Sequence, residues 1–231
     1  SRGSPAWPLL VEVAPLRELR ELRLLWPLPP MARALPRGAP TRLLSHLLGH
    51  EGPGSVFALL QDAGWALSVE AGLRVDEADF ALFQVRVSLT EEGEARWADA
   101  GALVFEYVRA LREAADGRAD ADGRADADEL TGRLWPELRE LAALQFRFAQ
   151  KAGAYAYAPA LARRLQTLPP TQLLSAGRAL GELDGALLRA TLSVLDTPHN
   201  AMVQLVSKRF QPVLGADRGG EGRAHAPGGG A

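Results

Sequence analysis

Apolar and polar residues alternate in some stretches of this chain and recur every three or four positions in others, and these two periods divide it into strands and helices. Leu9–Val13 and Leu19–Leu28 read as short strands. The second turns Leu22, Leu24 and Trp26 to one face before Pro27, Pro29 and Pro30 stop it. Trp65–Gly72 and Asp79–Leu89 form a further pair, in which Phe83, Val85, Val87 and Leu89 alternate with Gln84, Arg86 and Ser88 as in a half-buried antiparallel ladder. Asn200–Ser207 reads as a late strand.

The helical period begins near Thr41, after a proline-rich connector over 29–40, and Gly52, Pro53 and Gly54 break it. Ser55 caps a second helix that runs through Asp62, with Gly64 placed to end it. Thr90 caps a third, Glu91 and Glu92 sit on its positive end, and Trp97, Val104, Val108 and Leu111 carry an apolar stripe to about Glu113. Another helix is predicted over Leu134–Phe148, with Leu134, Leu138, Leu141, Leu144 and Phe148 on its buried side. Shorter helices follow at Ala158–Leu168, after Thr171, and over Asp184–Leu195.

Strands, helices and a late strand in this order predict an α+β fold: a two-layer sandwich whose mostly antiparallel sheet is covered on one face by helices. One domain is expected over 9–210, after an extension at 1–8 and before a Gly/Ala/Arg/Pro-rich tail at 211–231 that reads as disordered. A low-complexity insert at 116–128 contains two copies of GRADAD. Its Asp120, Asp122, Asp126 and Asp128 do not meet the spacing of a helix-loop-helix calcium site.

With 26 basic against 28 acidic residues the net charge is -2, so no long-range field favours nucleic acid or an acidic membrane as partner. No apolar run approaches the ~20 residues that span a bilayer. The chain has no cysteine, which removes disulfides, thiolate zinc sites and cysteine nucleophiles. That absence accords with a reducing compartment without proving one, and a cytoplasmic setting is the expectation. The first residue is Ser1 and no leader peptide is recognisable, so a piece of a longer parent is expected. No G-x-S-x-G, P-loop or G-x-G-x-x-G spacing occurs.

The residues that point to chemistry are in HLLGHEGPGSVFALLQDAGWALSVEAG, from His46 to Gly72. His46 and His50 are four apart, so on a helix their rings stack on one face and could share a metal ion, but two ligands are not a zinc site. On the same helix Glu51 would be turned about 100° away from His50. Alternatively, both are wall-lining or core histidines with no ligand.

This segment resembles the second domain of the insulysin/pitrilysin family of zinc metallopeptidases, the inverzincins, in which an amino-terminal domain carries H-x-x-E-H and a second domain repeats it in degenerate form. Here the string is His46-Leu47-Leu48-Gly49-His50, with Gly49 where the water-activating glutamate would stand. The resemblance puts Phe146 about where the third ligand, a downstream glutamate, would be. It implies a non-catalytic domain with no cofactor of its own, zinc being bound by the first domain of the parent enzyme.

The resemblance also implies an exosite for the amino-terminal end of a peptide substrate, bordered by His46, His50 and Gly54 and built on the strand containing Val69, Glu70, Ala71 and Gly72. In the family that strand extends its sheet with the substrate's first residues. The family commonly has an apolar residue and two glycines where this chain has Glu70, Ala71 and Gly72. Implied partners are the peptide, the catalytic first domain and the C-terminal half of the parent. The alternative is a stand-alone binding or assembly subunit that pairs with a catalytic chain. Three other features stand beside these: the helix start Thr90-Glu91-Glu92-Gly93, a basic aromatic cluster of Phe146, Arg147, Phe148, Lys151, Tyr155 and Tyr157, and the string Val206–Phe210, whose Lys208 and Arg209 read as solvated.

Overall fold

The alternation at Leu22, Leu24 and Trp26 becomes the middle strand of a five-stranded sheet. The computed structural model describes residues 9–29, 40–77, 79–117, 129–150, 153–166, 168–175 and 180–211. The expected extension at 1–8, nearly all of the 29–40 connector and the GRADAD insert, and the tail from 212 lie outside them. The strands are β1 (Leu9–Val13), β2 (Glu21–Leu28), β3 (Ala66–Asp76), β4 (Ala81–Leu89) and β5 (Met202–Val206). Their order is β1-β5-β2-β4-β3; β1 runs parallel to β5 and the other pairings are antiparallel.

Register explains the core. Leu22, Leu24 and Trp26 lie opposite Val87, Val85 and Phe83 on β4, and Leu22 and Leu24 lie opposite Leu205 and Val203 on β5. These side chains share a face. That face is sealed by α1 (Pro40–Leu48), α2 (Val56–Asp62), α4 (Trp97–Ala115) and α7 (Gly185–Leu195), whose Leu44, Leu60, Val104, Val108 and Leu192 are buried in the same cluster. The Trp26 ring meets the edge of Phe105 at a centroid distance of 5.7 Å, while its indole N–H has no hydrogen-bond partner among the described residues.

The other face is polar and carries a row of charges across three strands. Arg86 on β4 pairs with Glu70 on β3 and lies 3.7 Å from Glu21 on β2, which accepts from Arg23 at 2.6 Å. Glu21 is buried, and its two cationic neighbours offset the cost of removing a carboxylate from water.

Several elements differ from the sequence expectation. The helix capped by Thr90 is divided at Arg96 into α3 (Glu91–Ala95) and α4. β3 continues four residues past Gly72, through a register shift between Leu73 and Val75. After a π-helical stretch at Glu129–Leu134, α5 spans Trp135–Arg147, and α6 runs over Ala154–Leu165 with Pro159 inside it. Proline suits a helix start, which made Ala158 the expected beginning, but the alanine-rich residues ahead of it have no breaker. After Thr171 there is only a 3-10 turn, Pro170–Gln172.

The predicted buried side of α5 is the main correction. Its Trp135 and Ala142 are buried, with the indole N–H donating to the Gly181 carbonyl at 3.1 Å. Leu134 and Leu138 are partly buried, whereas Leu141, Leu144 and Phe148 are 52%, 51% and 74% exposed. The stripe exists, but the described residues do not cover its C-terminal half.

Candidate functional site

Proline at the first helical position starts α1, and Leu43, Leu44, Leu47 and Leu48 bury its inner face. His46 is thereby left on the exposed side of the last turn. His50 lies beyond the helix end, where the Gly49 amide closes the last turn on the Ser45 carbonyl at 3.0 Å. The expectation that one helix carries both histidines, with Glu51 rotated from them, is corrected in this respect. Their rings still meet edge to face with centroids 5.8 Å apart.

His50 is held by its turn. Its Nδ1 accepts from the Gly52 amide at 3.0 Å, which puts the proton of the neutral ring on Nε2. A Cβ at Gly52 would lie 2.3 Å from His50 Cε1, so this ring position depends on glycine. Gly54 has φ 80°, a left-handed turn conformation that glycine adopts without strain. Burial pulls the His46 imidazole below its usual pKa, the neighbouring His50 acts in the same direction, and the carboxylate of Glu137 on α5 opposes them.

These residues do not fit a zinc site. Two exposed histidines, one with a nitrogen engaged by Gly52, come together with no carboxylate at position 49. No group of three or more His, Cys, Asp or Glu able to hold a metal occurs among the described residues. The α5 residue whose charge reaches His46 is Glu137, and the exposed Phe146 is about two and a half turns further along the helix.

The strand bearing Val69, Glu70, Ala71 and Gly72 is at the end of the sheet order, so one of its edges has no strand partner among the described residues. Val69 is buried against the helices and Glu70 points out to Arg86. The end of α1 approaches at Ala71 and Gly72: a Cβ on Gly49 would lie 3.6 Å from the Ala71 amide nitrogen, and one on Gly72 3.4 Å from Ser45 Oγ. Gly49, read from sequence as a lost catalytic position, is therefore also where the helix end comes close to the edge strand. A shallow groove of about 340 Å³ follows this strand, lined by Glu70, Ala71, Gly72, Leu73, Arg74, Gln84 and Arg86. The groove lies over β3 and its paired neighbour β4, and the histidines do not line it.

Two features escaped the sequence reading. The Glu70–Arg86–Glu21 row needed the strand register, because nothing in the sequence pairs residues 16 and 65 positions apart. Lys208 and Arg209, read as solvated, are in ion pairs: Lys208 with Glu18 at 2.8 Å and Arg209 with Glu94 at 3.4 Å. Glu94 also accepts from Arg20 at 3.0 Å and from the buried Ser207 hydroxyl, tying α3 to β2 and the end of β5. Thr90-Glu91-Glu92-Gly93 is structural. The Thr90 hydroxyl accepts from the Gly93 amide at 2.9 Å and donates to the Gly64 carbonyl at 2.7 Å. Gly93 is packed so closely that an added Cβ would come 1.9 Å from the Trp65 carbonyl oxygen.

Residues 6–116 match the family described as Peptidase M16 inactive domain. The chain is 30% identical over 202 residues to the human insulin-degrading enzyme, covering 87% of this chain and 18% of that protein. It is 28% identical over 204 residues to the A-factor-processing enzyme of Saccharomyces cerevisiae, covering 87% and 18%. The crystal structure of pitrilysin superposes with a TM-score of 0.75 at 20% identity, over 87% of this chain and 20% of that one, and so shows the same fold. The chain thus spans about a fifth of the length of the relatives it matches. It belongs to the insulysin/pitrilysin family of zinc metallopeptidases, as a non-catalytic domain.

Proposed function

We propose that this domain serves as wall and substrate exosite of a peptidase chamber, holding the amino-terminal end of a peptide along the free edge of β3 while a separate domain carries the zinc. The observation that supports this most is that β3 ends the sheet with one edge unpaired among the described residues, and that the end of α1 carrying His46 approaches this strand at Ala71 and Gly72. An edge strand offers main-chain donors and acceptors to any extended peptide, which gives affinity with little sequence demand. A neutral His46 ring has one acceptor nitrogen suited to a peptide's terminal ammonium group, whereas His50, its Nδ1 engaged by Gly52, presents only the Nε2 donor.

The domain contributes positioning and no bond cleavage. Fixing one end of the substrate sets which bond reaches a distant catalytic centre and recovers part of the entropy cost of orientation. The carboxylate of Glu70 on the same strand is engaged by Arg86, so His46 is the better receptor for the amino terminus.

The test is zinc content and cleavage of a quenched fluorescent peptide by this chain alone, then mixed with a catalytic first domain. Expected are no zinc and no cleavage alone, and activity or peptide affinity gained on mixing. Stoichiometric zinc with chelator-sensitive cleavage by the lone chain would sink the proposal. In the reconstituted enzyme Ala71→Pro, which removes an amide at the edge strand, should raise KM; unchanged kinetics on several peptides would remove β3 from the account.

A further inference from the structure

The ladder fixes which main-chain groups β3 turns to its open edge. Leu89 of β4 donates to the carbonyl of Arg20, just ahead of β2, at 2.9 Å, and the next residue, Thr90, donates to the carbonyl of Trp65, just ahead of β3, at 3.1 Å. In an antiparallel ladder successive residues bond to opposite sides, so Ser88, Arg86 and Gln84 bond to β3, while Val87, Val85 and Phe83 bond to β2. Their partners follow from the register. Ser68, Glu70 and Gly72 are bonded to β4, and Val69, Ala71 and Leu73 turn their N–H and C=O groups to the edge that has no strand partner among the described residues.

Of these three, Ala71 is the one that the end of α1 reaches. A Cβ on Gly49 would lie 3.6 Å from the Ala71 amide nitrogen and 2.9 Å from the Ser45 carbonyl oxygen, and no other atom of the described residues, its chain neighbours apart, comes within 4 Å. The described glycines with positive φ are Gly54, Gly64 and Gly117, so backbone conformation does not demand glycine at 49. What the missing side chain supplies there is space, beside a half-buried amide that the ladder leaves without an acceptor.

We infer that Gly49 is a positioning residue of the exosite: it keeps the Ala71 amide open to a main-chain carbonyl of the bound peptide, and a side chain at 49 narrows that approach. This rests on the exosite reading. Gly49 stands where a water-activating glutamate would stand, and a glutamate there would bring a carboxylate, a stronger acceptor than a carbonyl, within reach of the same amide. The residue that removes the general base thus also opens the edge. The contact it admits is to main chain, indifferent to the side chains of the peptide and sensitive to bulk at 49.

The experiment follows amide hydrogen exchange by NMR in the full chain, without and with a saturating peptide of about ten residues that alternates Leu and Gln and has a free amino terminus. Binding should slow exchange at Val69, Ala71 and Leu73 and leave Glu70 and Gly72, already bonded to β4, little changed. Gly49→Ala should weaken the peptide roughly five- to ten-fold, the loss expected for one main-chain hydrogen bond, and in the remaining complex Val69 and Leu73 should stay protected while Ala71 does not. The added methyl also presses on the Ser45 carbonyl, so thermal melting first establishes that the variant is folded, and the measurement on the unaltered chain stands without it. Protection of Val69 and Leu73 but not of Ala71 in the unaltered chain, or undiminished affinity in a folded Gly49→Ala, overturns the inference and leaves the exosite in place. Equal loss of protection at all three amides in Gly49→Ala also overturns it, because Gly49 then serves only the fold of α1. No binding by the unaltered chain, or binding that protects none of the three, removes the exosite as well.

Discussion

α4 and α5 read alike in the sequence and end differently in the structure. Each has an apolar stripe at helical spacing, but on α4 Val104, Val108 and Leu111 are at most 4% exposed, whereas on α5 Leu141 and Leu144 are about half exposed. α4 lies over the face of β2 and packs against α7, so its stripe meets the Leu22–Trp26 row. α5 is joined to the core through Trp135 at its start, and past the buried Ala142 no described residue from 143 to 175 is buried. Periodicity identifies the apolar face of a helix; it does not say whether the same chain supplies the cover. Next to relatives such as the human insulin-degrading enzyme, of which this chain spans 18%, an uncovered stripe is a candidate contact for something outside this chain.

The largest expected effect breaks the comparison directly, with one substitution made in both helices. Leu111→Ala should lower stability by about 2–5 kcal/mol, the usual cost of a cavity in a packed core. Leu144→Ala should stay within about 0.5 kcal/mol, as at other exposed sites. Urea denaturation of both variants measures the difference. A loss of similar size at Leu144 would mean that α5 is covered in solution.

A second effect, of about 1–3 kcal/mol, is expected for Gly93→Ala, because the new methyl would meet the Trp65 backbone, which has no rotamer with which to move aside. Thr90→Ala should cost about 1 kcal/mol by removing the helix cap. Both substitutions act where α3 meets the start of β3, on the packed side of the molecule. Glycines in the open region make the contrast: an added Cβ at Gly132 or Gly153 meets nothing within 4 Å, so Gly153→Ala should be nearly silent by thermal melting.

The parts that could be read from sequence are those whose signal is local or whose partner is in the chain. Alternation placed β2 and β4 almost to the residue, and Ser55, Thr90 and Asp184 cap their helices through the side-chain bonds their types suggest. The histidine string identified the family, and Gly49 identified the loss of the catalytic glutamate. The end of α1 at Leu48 was missed because leucine-rich residues run on toward His50, and only the Gly49–Gly52 turn, closed by His50 itself, decides where the helix stops. The Glu137–His46 proximity was missed because it depends on how α5 docks, and the stripe said only which face was apolar.

The smallest expected effect tests that docking. Burial and the charge of His50 lower the pKa of His46, so the ring titrates below the usual 6.5 in the folded chain. The unfolded chain then takes up the proton first as pH falls, and the contribution to stability, absent above about 6.5, becomes unfavourable on acidification through that value and is complete below the folded pKa. Peptide binding should follow the same titration: the neutral His46 ring accepts from a terminal ammonium, and the protonated ring repels it. Affinity for a free-amino peptide should therefore fall as pH drops below about 6.5, an acetylated peptide should be indifferent, and His46→Gln should flatten the curve. Glu137→Gln removes a contribution that raises the pKa of His46 and should move the fall to still lower pH. If that substitution leaves the curve in place, the Glu137 carboxylate does not act on His46 in solution.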